Sequence, residues 1–382
     1  MIEKIHVCII NASSHVFGAE KSMAYLVSYL DKNKYIFSLI SPGGKTENLF
    51  KNVGVSNSFS VPLLRFMKTM NPVTLFFQFL KWVKTNITLY RRLGILNPDI
   101  IHANGIQSMV NVCICAYLLK IPTIWHLRDA KQPKWISKLC SVFAHEIVAP
   151  NRYIMEKFSF MKKTIHIVPN PIFHSNYRLE NNPELKCPDK DSFNIGLIGQ
   201  IIPRKGHDLL LDVIPVIKEK IQNIKIYFVG DECFDQNKEY LEYLKKKIDN
   251  SDLLKDCVIF TGYVDDMENI YRKLDLVVVP SLDEAFGRVA MEAMYYGCPL
   301  VVSKTGGMAD NVEDSVNGLF FERGNVYDFA NAVIRLVTNP ELMESLGKKG
   351  KSVCSEYIHN TAREVAGVES IYKGCIEFKR TG

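Results

Sequence analysis

No stretch of the 382 residues stays apolar for about 18 residues, the length a helix needs to cross a bilayer, so no membrane-spanning helix is expected. The opening MIEKIHVCIINASS lacks the layout of a secretory signal. Its apolar run Ile5–Ile10 is too short for a signal core and reads as a first strand. The ten cysteines contain no C-x-x-C pair and no Cys/His cluster with zinc spacing. Cys113 and Cys115 stand one residue apart, and Cys8, Cys257 and Cys298 lie in or beside strand-like apolar runs. Reduced, buried thiols in the cytoplasm are the expectation. Two nucleotide signatures are also missing. The turn Asn11–Glu20 contains Gly18 but no G-x-G-x-x-G, which removes a nicotinamide fingerprint, and Gly199–Gly206 lacks the Walker A order. Asp189-Lys190-Asp191 has a D-x-D spacing but no preceding strand to position it, so neither a metal nor a cofactor is expected.

What is present points to two α/β domains. The length and a hydrophobic share of 47% suit two full cores. The net charge of +6 is uneven: residues 1–190 carry a net +13 and residues 191–382 a net −7. The basic half is expected to face an anionic surface, and no nucleic-acid partner is expected. Short apolar runs alternate with helical patterns throughout, the rhythm of doubly wound parallel sheets. The first half reads as strands at Ile5–Asn11, Tyr35–Ser41, Ile100–Ala103, Thr123–His126 and Glu146–Ala149. The second reads as strands at Phe193–Ile198, Lys225–Gly230, Val258–Phe260, Leu276–Val279, Pro299–Val302 and Gly318–Phe321. This gives a domain over residues 1–180, a linker over 181–192 and a second domain over 193–360. A terminal segment, 361–382, is placed back on the first domain, with separate helices at Pro340–Tyr357 and about Ala362–Phe378.

The second domain is organised around Pro280–Val302, PSLDEAFGRVAMEAMYYGCPLVV. Glu284 and Glu292 flank a Phe286-Gly287 kink. Gly287 permits close backbone approach, and the helix beginning near Arg288 offers unpaired N–H groups to an anion such as a diphosphate. Acids in a first helical turn are also ordinary dipole matching, so the neighbouring loops decide. Gly196–Gly206, GLIGQIIPRKG, brings Arg204 and Lys205 ahead of another helix, two cations placed to clamp a diphosphate. Phe260-Thr261-Gly262-Tyr263 ends a further strand, where backbone groups and the Tyr263 ring would hold a planar base. Thr305-Gly306-Gly307 makes another glycine turn. Ligands bind beyond the carboxyl ends of strands in such sheets, and this convergence favours a nucleotide.

Two features stand out in the first domain. Pro62–Leu96 is rich in Phe and Leu, and its only charges are basic. On a helix, Lys81, Lys84, Arg91 and Arg92 share a face, while Phe76, Phe79, Leu80 and Val83 point largely elsewhere. That is the pattern of an interfacial element with its cations toward lipid headgroups, though a helix packed on its own domain would share it. Trp125-His126-Leu127-Arg128-Asp129 follows a strand and places an imidazole at its carboxyl end.

These residues resemble the family 4 retaining glycosyltransferases of GT-B fold, in which two Rossmann-like doubly wound domains face across a cleft. The resemblance is carried by GLIGQIIPRKGHDLLL, FTGYVDDMENIYRKLDLVVVPS, EAFGRVAMEAMYYGCPLVV and TGGMADNVEDSVNGLFF over Ile195–Phe321. It is looser through Phe17-Gly18-Ala19-Glu20-Lys21, Trp125–Asp129 and Val168-Pro169-Asn170-Pro171. It implies that Glu284 holds donor-sugar hydroxyls, that Glu292 binds the ribose, and that the backbone of Phe286, Gly287 and Arg288 meets the sugar or distal phosphate. Lys205, helped by Arg204, would neutralise the departing diphosphate beside Gly199. His126 would contact the donor sugar, and Gly18 would let its loop approach the phosphates. Two positions depart from the family pattern: Gln200 stands where an Arg is common, and Phe17 replaces the first glycine of a Gly-Gly-Ala-Glu turn.

The expected function is transfer of a sugar from a nucleoside diphosphate donor to a hydroxyl, with retention and without a metal. The acceptor is expected to be a lipid-linked or membrane-proximal glycan, at the inner face of the cell membrane, in bacterial surface-polysaccharide synthesis. Two alternatives use the same loops. One is another GT-B enzyme, such as a nucleotide-sugar epimerase or a phosphorylase. The other is a catalytically silent nucleotide-sugar-binding partner subunit, toward which Gln200 leans and against which Glu284, Glu292, Lys205 and His126 lean.

Overall fold

The computed structural model describes residues 4–64, 71–173, 192–231, 237–264 and 266–381, and the side chains of these up to residue 379. Residues 181–191 of the expected linker, the Asp189–Asp191 pair and residues 65–70 of the Pro62–Leu96 segment lie outside them. The chain divides into two units, Met1–Arg178 with Ile358–Gly382, and Leu179–Tyr357.

In the first unit seven parallel strands are ordered β3-β2-β1-β4-β5-β6-β7. They are β1 (Ile5–Asn11), β2 (Tyr35–Ser41), β3 (Asn57–Ser60), β4 (Ile100–Asn104), β5 (Thr123–His126), β6 (Glu146–Ala149) and β7 (Ile165–Ile167). In the second unit six parallel strands are ordered β10-β9-β8-β11-β12-β13. These are β8 (Phe193–Ile198), β9 (Ile224–Val229), β10 (Val258–Gly262), β11 (Leu276–Val279), β12 (Leu300–Ser303) and β13 (Leu319–Phe321). The central strands are buried on both faces and accordingly read as continuous apolar runs, IHVCIIN in β1 and LVVV in β11. Strand order reverses between β1 and β4 and between β8 and β11, the places where open parallel sheets leave a crevice at their carboxyl edge.

The sequence reading missed two strands. β3, NSFS, and β7, IHI, are short edge strands of four and three residues with little apolar periodicity to mark them. It also divided the last helix, which runs unbroken from Pro340 to Thr381. No Pro or Gly falls between Tyr357 and Ala362 to stop it, and Thr361 there is buried, so packing overrides weak local propensity. The residues of this helix beyond Tyr357 complete the first unit. Val365, Val368, Tyr372 and Cys375 join the core formed by Val7, Ile9, Tyr35, Phe37, Ile100 and Ile124. Removing a side chain the size of Tyr372 from water contributes about 2–3 kcal/mol, so this segment is part of the first core although it ends the chain. The second core surrounds Ile195, Leu197, Leu210, Ile214, Phe228, Val278, Phe329 and Val333.

Candidate active site

The carboxyl edge of the second sheet is built by glycines. The Gly199 N–H donates to the Val229 carbonyl at 2.9 Å, and the Gly230 N–H donates to the Gly262 carbonyl at 3.0 Å, so the turns after β8, β9 and β10 are joined. Gly230 has φ +145°, and a Cβ there would lie 1.9 Å from the Gly199 carbonyl oxygen, a distance no side chain tolerates. Gly230 is a site-shaping residue that sequence reasoning took only for a strand end. Its role depends on a neighbouring turn distant in sequence.

Against this edge lie the predicted charged residues. Lys205 packs its stem over Gly199 and donates from Nζ to Glu284 Oε2 at 2.7 Å. Arg204, more exposed, donates from Nη1 to the Asp283 carbonyl at 2.8 Å, while its own carbonyl accepts the Leu282 N–H at 2.8 Å. The two loops after β8 and β11 are therefore bonded both ways. Ser281 Oγ adds a longer bond of 3.4 Å to Glu284 Oε2, and the Glu284 carbonyl accepts the Gly307 N–H at 2.9 Å. Burial opposes charge on Glu284. The Lys205 and Arg204 cations, the Lys205 hydrogen bond and the Gly287 N–H outweigh it and hold the carboxyl below its usual range. Glu284 is thus an anion at neutral pH, placed where it can accept hydroxyl hydrogens or face a developing positive charge.

Gly287 caps the helix Arg288–Tyr295 in the left-handed region, φ +82°, with Met308 sulfur where a Cβ would go. Gly287 has no side chain with which to cap that helix, and its own N–H is met by the Glu284 carboxylate, which places the acid at the helix N-terminus. Four residues on, Glu292 is held by both oxygens: Arg288 Nε donates to Oε1 at 2.7 Å and Tyr271 Oη donates to Oε2 at 3.0 Å. Burial, together with Glu292, pushes the Tyr271 hydroxyl well above its ordinary pKa and keeps it a donor. Tyr271 was not singled out from sequence, because its helix, MENIYRK, gives no local sign that one ring turns toward Glu292. Phe286 is buried, its carbonyl accepting from Asn311 Nδ2 at 2.5 Å. Tyr263 stands 41% exposed just beyond β10.

Gly18 and His126 belong to the first unit. Gly18 opens the helix Gly18–Tyr29 and does not adopt positive φ, so that turn does not depend on glycine's left-handed freedom. Phe17 supplies its N–H to Glu20 Oε2 at 3.1 Å, a capping contact that works without a Gly at that position. Strand register sets Asn11 beside Asn104 and Asn104 beside His126, at the carboxyl edge of this sheet. Asn104 Nδ2 donates to Asn11 Oδ1 at 2.7 Å, Arg128 Nε donates to Asn104 Oδ1 at 2.6 Å, and Arg128 Nη1 donates to Asn170 Oδ1. His126 is buried, and burial with the nearby Arg128 and His102 pushes its pKa well below the ordinary value, so it is a neutral imidazole. Its Nε2 has no hydrogen-bond partner among the described residues.

Among the described residues no group of three or more His, Cys, Asp or Glu is arranged to hold a metal ion, and no helix is long and apolar enough to cross a membrane. Eight described cysteines, among them Cys8, Cys113, Cys115, Cys257 and Cys298, are free and buried.

Known proteins share parts of this sequence and its fold. Residues 180–353 match the family described as Glycosyl transferases group 1. An uncharacterized glycosyltransferase of Methanocaldococcus jannaschii is 26% identical over 354 residues, covering 88% of this chain and 89% of its own length. A lipopolysaccharide 1,2-N-acetylglucosaminetransferase of Salmonella typhimurium is 30% identical over 221 residues, 56% of this chain and 58% of its own length. The crystal structure of Anabaena HepE in complex with UDP-glucose shares the fold at a TM-score of 0.76 with 18% identity, covering 96% of this chain and 99% of that one. The two parallel Rossmann-like sheets are thus of GT-B type, and the second of them lies in the region that is similar to the glycosyl transferases group 1.

Proposed function

We propose that this glycosyltransferase moves a sugar from a nucleoside diphosphate sugar to a hydroxyl acceptor, with retention at the anomeric carbon and without a metal. The observation that carries the reading is the Lys205–Glu284 pair, held between two glycine-lined loops beside the N-terminus of the helix Arg288–Tyr295. Departure of a nucleoside diphosphate requires its developing negative charge to be met. Lys205, Arg204 and the positive end of the helix after Gly287 supply that. When phosphate takes Lys205, Glu284 is released to accept donor-sugar hydroxyls and to stabilise positive charge at the anomeric carbon. Glu292, held by Arg288 and Tyr271, presents a fixed acceptor to the ribose hydroxyls, and the loop at Tyr263 takes the base. His126 is assigned to the donor sugar. A thermal-shift series with nucleotide sugars tests the reading, since a donor that binds the folded protein raises apparent stability, and raises it further with the logarithm of its concentration above Kd. Stabilisation by at least one nucleotide sugar, lost in Lys205→Ala, is expected.

The acceptor is proposed to be a lipid-linked or membrane-proximal glycan presented at an anionic bilayer. The helix Pro72–Leu96 buries only Thr85, Leu89 and Leu93 fully, while Phe76, Phe77, Phe79 and Leu80 are exposed and Lys81, Lys84, Arg91 and Arg92 are exposed beside them. The helix Ile106–Leu118 packs against it and against Lys134–Phe143, which exposes Trp135, Leu139 and Val142 together with Lys134 and Lys138. Apolar side chains mixed with cations, and no acid on either helix, match a headgroup layer better than a neutral protein surface. The polysaccharide-related relative makes surface-glycan assembly the proposed setting.

A further inference from the structure

His126 is the inner end of a buried relay that the assigned chemistry does not use. Its Nδ1 lies 3.2 Å from His102 Nε2, with the two rings within 14° of parallel and their centroids 5.4 Å apart. His102 Nδ1 lies 2.8 Å from Tyr372 Oη, on the terminal helix that returns to complete the first core. Strand pairing explains the first contact. Asn104 is the register partner of His126, and His102 stands two residues before it on β4, a diagonal neighbour on the same face. All three side chains are buried.

We propose that Tyr372 and His102 are positioning residues that fix His126 as a neutral imidazole carrying its proton on Nε2. Both rings are neutral, since burial pushes His102 down to about 3 and His126 well below its ordinary value, so each holds one N–H and one bare nitrogen. Burial likewise raises the Tyr372 pKa and keeps its phenolic proton. Two proton arrangements satisfy both short contacts. In one, the His102 Nδ1–H donates to Tyr372, His126 donates to His102, and the buried phenol hydrogen has no acceptor. In the other, Tyr372 donates to His102 Nδ1, the His102 Nε2–H donates to His126 Nδ1, and His126 keeps its proton on Nε2. His126 Nε2 is without a protein partner in both, bare in the first and protonated in the second, but the first also strands the phenol hydrogen in the core, because the only hydrogen bond of the Tyr372 hydroxyl among the described residues is to His102; it leaves two buried groups unmet where the second leaves one. The second arrangement therefore prevails. It leaves the Nε2–H of His126, which has no protein partner, as a donor to a ligand oxygen. The device joins β4, β5 and the end of the chain, so the terminal helix sets the hydrogen-bonding sense of a residue far from it in sequence. That this ligand oxygen belongs to a donor sugar rests on the function proposed above.

The test uses the full-length protein labelled with 15N-histidine. Long-range 1H–15N correlation spectra assign the tautomer of His126, identified by the signal lost in His126→Gln. The expected wild-type result is Nε2 protonated and Nδ1 bare. In Tyr372→Phe, with the far-ultraviolet circular dichroism unchanged, the His126 signals are expected to shift toward the opposite tautomer. The transfer kcat is expected to fall about tenfold, the scale on which losing the partner that orients a functional imidazole acts, with little change in donor KM. A wild-type His126 with bare Nε2, or one whose tautomer ignores Tyr372→Phe, overturns the relay whatever the transfer assay gives. The expected tautomer in a protein that turns over no nucleotide sugar overturns the functional reading instead. The wild-type spectrum decides even where the Tyr372 variant does not fold.

Discussion

Lys205 Nζ donates to Glu284 Oε2 across 2.7 Å, and the two side chains are only 12% and 15% exposed. Each neutralises the other in the free protein, and on the proposed function a phosphate that takes the cation releases Glu284. Replacing Lys205 with Met removes the main charge that holds the Glu284 carboxyl low, while burial, which pushes it up, remains. The acid limb of the pH profile of kcat/KM is therefore expected to move to higher pH in Lys205→Met. The rate itself should fall by about 10²–10³, as expected for a lost preorganised charge.

The same pair makes a signed statement about stability. The folded-state pKa of Glu284 lies below its unfolded value, so folding favours the ionised form. Its contribution is complete above the unfolded carboxylate pKa and is lost as pH falls through the folded one. Urea denaturation of wild type from neutral pH down through the carboxylate range should show a loss from this group that Lys205→Met does not show.

Gly230 and Gly287 are expected to respond differently to alanine. At Gly287 the added Cβ meets the flexible Met308 sulfur at 2.6 Å, so the cost is mainly that of holding a non-glycine residue at φ +82°, about 1–2 kcal/mol. At Gly230 it meets the Gly199 backbone carbonyl at 1.9 Å, so the turn carrying Lys205's packing surface must move. Gly230→Ala is expected to weaken nucleotide binding by calorimetry more than Gly287→Ala relative to its stability loss. Equal ratios would show that the glycine row does not shape the site.

Membrane binding is expected to follow the exposed apolar side chains and the cations together. Sedimentation with anionic vesicles should weaken with salt and fall in Phe76→Ser/Phe79→Ser, in Lys81→Glu/Lys84→Glu and in Trp135→Ala. Equal, weak binding to neutral and anionic vesicles would remove the proposed acceptor setting.

The terminal helix carries a further consequence. Ending the chain before Ile358 removes Val365, Val368, Tyr372 and Cys375 from the first core and the Lys379–Asp99 contact at 3.3 Å. The truncated protein should lose the cooperative unfolding of the first unit while retaining that of the second, which limited proteolysis of the two units resolves.

Much of this was legible because it is local. The apolar runs gave all six strands of the second sheet and five of the seven in the first, and the β11 loop displays its glycine and two acids within nine residues. The edge strands NSFS and IHI were not legible, since three or four half-exposed residues carry too little pattern. Nor were the residues that act by reaching across the fold. Tyr271 meets Glu292 from another helix, Gly230 matters through the carbonyl of Gly199, and Tyr372 reaches His102 from 270 positions away. Such partners depend on register and packing, which no window of sequence contains.

The central claim is most directly tested on the sugar that leaves the donor. With the nucleotide sugar that stabilises the protein best, slow acceptor-free turnover is followed by proton NMR of the anomeric signal before mutarotation. The account predicts that the released sugar first appears with the donor's anomeric configuration, at a rate at least about 10² lower in Glu284→Gln. First appearance of the opposite anomer, or an undiminished rate in Glu284→Gln, would contradict it.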